Sequence, residues 1–335
     1  MIRHGSWATR LGVRAAAVLL VTSMPLAGQL VPEHPISQMD LKLRTVRDYD
    51  QPVLPIFEGW YANEDGTYDL TFGYFSLNRI EELDIPVGPD NFIEPARYNG
   101  SQPTHFAPQG PRNSDPMSLA PGDRQGSRRL SGKTGVFALN VAGDIGSERV
   151  WWNLRIDNQT YRVPGHITAQ PYRVDNLINS VGASMAEYSG NLLYSGDVVA
   201  PIVRFVEPSG PEGRGKSGPR SGPLTAQIGS PLAITLSNGL PETARARQGR
   251  DRNLDEESGL TQQTVQWLKY SGPPGHVSFT PESSRVTVGL VPVEHTTNVA
   301  FSQPGDYVLL AQVLNGSFGN QCCWTNAYVS VTVTP

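Results

Sequence analysis

Trp267-Leu268-Lys269-Tyr270-Ser271-Gly272-Pro273, followed further on by Thr296-Thr297-Asn298-Val299-Ala300-Phe301-Ser302-Gln303-Pro304-Gly305-Asp306-Tyr307-Val308-Leu309, decides the fold of this chain. The first stretch places a Trp on a central strand ahead of a Ser-Gly-Pro turn. The second carries a strand into a Pro-Gly turn and opens the next strand on a Tyr. Around them, Leu232, Ile234 and Leu236 alternate with Ala233, Thr235 and Ser237. The same period of two continues through Val265/Trp267, Val277/Phe279, Val286/Val288, Val299/Phe301, Tyr307/Leu309/Ala311/Val313 and Tyr328 to Val333. Short alternating strands separated by turn residues predict a β-sandwich over 224–335, with Trp267 and Tyr307 as structural residues of its core. The charged stretch 238–262 (Arg245, Arg247, Arg250, Asp251, Arg252, Asp255, Glu256 and Glu257) reads as an insertion in that domain.

Working towards the N-terminus, residues 207–223 are rich in Pro, Gly, Ser and Arg and read as a linker, with 169–206 irregular. That composition predicts that the two halves move independently. Upstream, 51–168 carries aromatic-rich strands. Phe57-Glu58-Gly59-Trp60-Tyr61 and Thr67 to Phe75 flank Asn63-Glu64-Asp65-Gly66, which predicts a hairpin through a type I′ turn. Val150 to Ile156 and Gln159 to Val163 flank Asp157-Asn158, a second hairpin. With Val136 to Val141 these strands suffice for another sandwich. The stretch 84–131 is interrupted by eight prolines, from Pro86 to Pro121, and reads as a long loop. Residues 29–50 form an extended lead-in, and Leu177 to Tyr188 is the one weak helical candidate. The fold class is therefore all-β: two sandwich domains joined by a Pro/Gly/Ser-rich linker.

Residues 1–28 read as a secretory signal. Arg3, Arg10 and Arg14 precede the apolar run Ala15 to Val21 and the small residues around Ala27-Gly28. That run is too short to span a bilayer, and no later stretch is apolar enough. The expected location is secreted, periplasmic or cell-surface, with no transmembrane segment after signal cleavage. The chain carries a formal charge of -4, and loss of the three arginines with the signal gives -4 - 3 = -7. That charge argues against a nucleic-acid partner.

The C-terminal domain resembles the PKD-like and immunoglobulin-like repeats of bacterial secreted and surface proteins. The resemblance rests on Trp267, Ser271-Gly272-Pro273, Phe279, Phe301 and Pro304-Gly305-Asp306-Tyr307 and covers about a third of the chain. It implies that Tyr307 is a tyrosine-corner residue. It also implies an inter-sheet cysteine pair that this chain replaces with Ile234, or a neighbour, and Leu309. The PKD pattern after the Trp is absent, since Leu268-Lys269-Tyr270 follows it.

Cys322 and Cys323 are the only cysteines and are adjacent, in a segment with Phe318 and Trp324 between two predicted strands. Neighbouring Cα atoms sit only about 3.8 Å apart across a trans peptide, below the usual disulfide range, so a bond between these sulfurs distorts its peptide unit. A stiffened recognition loop, a redox switch, an intermolecular disulfide and a Cu(I) site are the readings open to it. Phe318, Cys322, Cys323 and Trp324 are accordingly contact candidates. Adjacent strand residues face opposite ways, so one of Trp151 and Trp152 points outward, and Trp151 joins the candidates as a platform for a polysaccharide. His105, in Gln102-Pro103-Thr104-His105-Phe106, reads as a loop histidine and joins the contact candidates. Glu81, Glu82, Asp84 and Asp90 form an acidic stretch whose spacing matches no calcium motif. No nucleophile-elbow or zinc-protease motif occurs.

The sequence reading is an exported, non-enzymatic binding or structural protein of the envelope or extracellular space, with a protein or polysaccharide partner and no cofactor. The alternatives are a carbohydrate-binding accessory module, a redox or copper-handling protein using the cysteine pair, and a secreted enzyme with a dispersed site in the first domain. Ca²⁺ and Cu(I) are the two ions its residue types admit.

Overall fold

The computed structural model describes residues 48–63, 65–108, 133–173, 200–239, 254–255, 260–288, 291–315 and 324–335. All of them belong to one compact unit. Among the described residues its elements are strands joined by turns and two short 3₁₀ turns, Ala96–Tyr98 and Gln170–Tyr172. The first half contributes β1 (Val53–Ala62), β2 (Tyr68–Ser76), β3 (Leu83–Asp84), β4 (Asn91–Glu94), β5 (His105–Phe106), β6 (Lys133–Val141), β7 (Val150–Ile156) and β8 (Gln159–Gly165). The second contributes β9 (Ile202–Glu207), β10 (Glu212–Gly213), β11 (Arg220–Gln227), β12 (Leu232–Gly239), β13 (Leu254–Asp255), β14 (Leu260–Ser271), β15 (Val277–Thr280), β16 (Ser283–Val288), β17 (Val293–Phe301), β18 (Gly305–Asn315) and β19 (Trp324–Thr334).

In the first half a β1-β2-β6 sheet faces a β4-β7-β8 sheet. Alternation sets the inward side chains: Val150, Trp152 and Leu154 are buried, while Trp151 is half-buried and Arg155 exposed. The interior is aromatic. Phe72 stacks on Phe137 at 5.2 Å, and Trp152 meets Phe137 edge-on at 4.9 Å. The β7–β8 hairpin turns through Asp157 and Asn158, both at positive φ, as a two-residue I′ turn requires. The β1–β2 hairpin differs from the I′ expectation. Its register runs from Ala62 to Tyr68, and Asn63 N–H donates to Thr67 O at 2.9 Å, which makes a longer loop with Gly66 in the left-handed region.

The second half is a β10-β9-β12-β17-β15 sheet packed against a β11-β19-β18-β14-β13 sheet, with β16 on β14. Strand β11 runs parallel to β19, whereas β14, β18 and β19 are antiparallel neighbours. Ile234 and Leu309 are fully buried in this aliphatic core. Tyr307 lies in it too, and its hydroxyl donates to Gln303 O at 2.8 Å, four residues upstream. Trp267 stacks on Phe279 with ring centroids 6.0 Å apart.

Three segments differ from expectation. Residues 207–223 are not a free linker: β9 pairs with β12 and β10, β11 pairs with β19, and the second sandwich starts at Ile202 rather than Leu224. The Pro and Gly residues there serve turns and sheet edges, which composition cannot distinguish from a flexible chain. Within 84–131, residues 84–106 are built into the fold. The Asn91 amide donates to Ile85 O (2.9 Å) and Pro103 O (2.8 Å), its Oδ1 accepts from Trp152 Nε1 (3.1 Å), and β4 pairs with β7. At the borders of 238–262, Asn238 is buried within β12 and Leu260–Gln262 belong to β14. The Arg-rich part of that stretch, the helical candidate 177–188, the signal 1–28 and the lead-in up to residue 47 lie outside the described residues.

Candidate functional site

The chemistry-bearing side chains converge on the seam between the sandwiches. Strands β14, β18 and β19 are buried on both faces. One face (Trp267, Leu309, Ala311, Val313, Val329) fills the second core, while Leu268, Tyr270, Leu310 and Tyr328 on the other complete the first. A sheet covered on both sides reads as a continuous apolar run. The run Tyr307 to Leu314, broken only by Gln312, was the available signal for this interface.

Strand β6 is an edge of its sheet, and side chains of the second sandwich close that edge. Gln312 Nε2 donates to Thr134 O (2.9 Å), Asn326 Nδ2 to Gly135 O (2.8 Å) and Tyr328 OH to Val136 O (3.1 Å). Gly135 is indispensable there. Its φ is +57°, and a Cβ would sit 1.7 Å from a ring carbon of Trp324. The Trp324 indole packs against the Gly135 backbone and is 2 % exposed.

Next to Trp324 the segment 214–219 crosses the seam as a strap. Gly215 N–H donates to Thr325 Oγ1 (3.0 Å), Gly215 O accepts from Asn326 N (3.1 Å) and Pro219 O from Tyr328 N (2.9 Å). Lys216, 5 % exposed, puts its Nζ 3.9 Å from the Trp324 ring centroid and 4.3 Å from that of Tyr61. Half-buried Glu58, on β1 beside the bulge at Phe57/Gly59, accepts from the Gly135 amide. Burial raises the Glu58 carboxyl to about 8, against the Gly135 hydrogen bond and the Lys216 charge. Burial also lowers the Lys216 amine to about 7, against Glu58 and Asp69.

At the other end of the seam Asp84 Oδ1 lies 2.9 Å from both His105 Nδ1 and Lys269 Nζ. Lys269 Nζ also donates to Pro273 O (2.8 Å) and Gly275 O (3.0 Å), so all three of its hydrogens have acceptors. Burial works to raise the Asp84 carboxyl, but the hydrogen bonds and charges of His105 and Lys269 outweigh it and hold the group below its ordinary range. Tyr270 OH bonds Ser101 O, and Thr104 N–H donates to Tyr270 O at 3.0 Å, docking the Pro-rich stretch onto β14. The seam removes the basis for independent motion of the two halves.

Of the contact candidates, Trp324 and His105 are buried in the seam, joined to the fold and shielded from an outside ligand. Trp151 does present an outer face. Arg162 lies 3.9 Å over its ring and 3.6 Å from Glu94 Oε2, while Trp152 is wholly internal. Tyr74 and Phe75 are core residues. In the acidic stretch Asp84 is paired as above, Glu82 lies 3.3 Å from His276 Nδ1, and Glu81 accepts from Asp50 N at 2.7 Å. Phe318, Cys322 and Cys323 lie outside the described residues. Glu58, Gly135, Lys216 and Asn326 escaped the sequence reading. The one hint was the scarcity of lysine: two of only four, Lys216 and Lys269, are seam residues.

No protein-family profile and no curated protein matches this chain. Among solved structures, the chain is similar to the D00-D0 domain of Intimin, at 12% identity and a TM-score of 0.23 over 85% of this chain and 100% of that one. It is also similar to domains 4 and 5 of the S-layer protein SbsC, at 9% identity and a TM-score of 0.21 over 56% and 66%. A third similarity is to WR4, an MSP family member of C. elegans, at 8% identity and a TM-score of 0.20 over 33% and 92%. Similarities at this level carry no argument about activity.

Proposed function

We propose that this chain is an exported, non-enzymatic β-sandwich protein, a rigid binding or structural element of the cell envelope or extracellular space. The observation that supports it is the burial of the Asp84–His105–Lys269 cluster, the strongest grouping of catalytic residue types among the described residues, in which all three Lys269 hydrogens are already engaged. A general base needs a proton acceptor within reach of substrate, and His105 is 4 % exposed with one ring nitrogen on Asp84. The signal-like N-terminus supports export. The test is cell fractionation of the full chain with intact-mass measurement. A species lacking roughly the first 28 residues, recovered outside the cytoplasm, is expected. An uncleaved cytoplasmic chain overturns the reading.

A carbohydrate-binding module is the second reading, and half-buried Trp151 with Arg162 over its ring favours it. Soluble glycans should then shift tryptophan emission in the parent protein and not in Trp151→Ala. An equal response in both, or none, rejects that site.

A further inference from the structure

At one end of the seam the two sandwiches meet through an amine and a carboxyl group. Lys269 on β14 and Asp84 on β3 are 185 residues apart in sequence, yet Nζ and Oδ1 lie 2.9 Å apart. Both side chains are withdrawn from water, at 3 % and 14 % exposure. The ion pairs of Arg79, Arg97 and Arg162 differ on both counts: they are exposed, and a guanidinium stays protonated and offers no lone pair. Three features prepare the buried pair for bond formation. Pro273 O (2.8 Å) and Gly275 O (3.0 Å) hold Nζ, so backbone sets its approach to the carboxyl. Asp84 Oδ1 has a second partner, His105 Nδ1 at 2.9 Å, and because an ionised carboxylate can only accept, that nitrogen is the donor. Lastly, a buried ion pair keeps two charges out of water, a cost that joining them as a neutral amide removes.

We propose that Lys269 and Asp84 condense to an amide, a cross-link that joins the two sandwiches covalently through their own side chains. One ammonium proton passes from Nζ to Oδ1, leaving an amine lone pair beside a neutral carboxylic acid. The lone pair forms the Nζ–Cγ bond. The Cγ–Oδ1 bond then breaks and Oδ1 leaves as water, protonated by His105 Nδ1–H, while the surplus proton on nitrogen returns to His105. The three ammonium hydrogens end as one amide N–H and two on the water, so the step consumes no oxidant and no co-reactant. His105 acts as proton carrier because it touches the departing oxygen. The same burial that brings the pair together keeps water from reversing the bond. The cross-link deepens the reading of the chain as a rigid structural element, and its readout is independent of export.

Tandem mass spectrometry of a tryptic digest of the folded full chain tests this. The parent should be lighter than its sequence by one water and should yield a linked pair of peptides, one with Asp84 and one with Lys269, uncut after Lys269. Ring closure at Asp65-Gly66 also loses one water, so the linked pair decides and the mass alone does not. Lys269→Arg should abolish the linked pair. In His105→Asn the linked fraction of freshly made protein should accumulate roughly a hundredfold more slowly. Separate Asp84 and Lys269 peptides in the parent, with trypsin cutting after Lys269, overturn the cross-link, and an unchanged rate in His105→Asn overturns the part assigned to His105. The decisive reading is made on the parent, so a variant that fails to fold leaves it intact. An uncleaved cytoplasmic chain that carries the linked pair would reject export and uphold the cross-link.

Discussion

The two sandwiches fill their interiors differently. The first has two three-stranded sheets and stacks rings: Phe57, Phe72, Phe106, Phe137 and Trp152 touch one another in a chain of contacts. The second has sheets of five and six strands and packs Val, Leu, Ile and Ala around Trp267 and Tyr307. Small sheets offer few inward positions, and large rings bury the most area per position. Even so, the first core is completed by Leu268, Tyr270, Leu310 and Tyr328 from its neighbour, whereas the second core is built from residues 203 to 333 alone. Dependence therefore runs one way: the first sandwich needs the second.

The sharpest way to break that comparison is to separate the halves. Residues 201–335 should fold cooperatively alone, with an apolar face newly exposed, and residues 48–173 should not. Amide dispersion and denaturant titration of each piece check this, and a cooperatively folded 48–173 piece would refute the dependence. Smaller in effect is Gly135→Ala, which costs about 4 kcal/mol or more because the added methyl collides with Trp324 and φ is positive. Combining it with Trp324→Ala should recover part of the loss, a coupling that a double-mutant cycle measures.

Within the first core, Trp152→Ala should cost about 3–5 kcal/mol in a urea titration, through the cavity it leaves and the Asn91 Oδ1 it unpairs. The smallest effect belongs to the second sandwich. Tyr307→Phe removes one hydroxyl bond, to Gln303 O, and should cost about 1 kcal/mol. If that loss equals the one at Trp152, the contrast between a ring-stacked and an aliphatic core does not govern stability here.

The strand class, the β7–β8 turn and the inward positions of the second sandwich were legible in the sequence. Each depends on neighbours along the chain. The period of two assigns faces, Asp157-Asn158 accepts positive φ, and the Pro-Gly turn before Tyr307 starts a strand. Segment 207–223 shows where local reading stops. Pro, Gly and Ser compose a flexible linker and a tightly held strap equally well. Only pairing with β12 and β19, far away along the chain, separates the two outcomes. Val308, Leu310 and Leu314 carried a partial warning, since an edge-to-edge apolar strand needs cover on both faces.

By itself, then, the sequence determined that this is an all-β chain with two hydrophobic cores. Periodicity is local, and burial of one face per strand follows from it. The tertiary structure decided that the halves are welded, that Gly135 must lack a side chain, and that Lys216 and Lys269 are interior residues. Those outcomes depend on which partner each polar atom meets across the seam. A lysine is charged and solvated by default, and only a fold that supplies carbonyls, a carboxylate or ring faces can hold it inside.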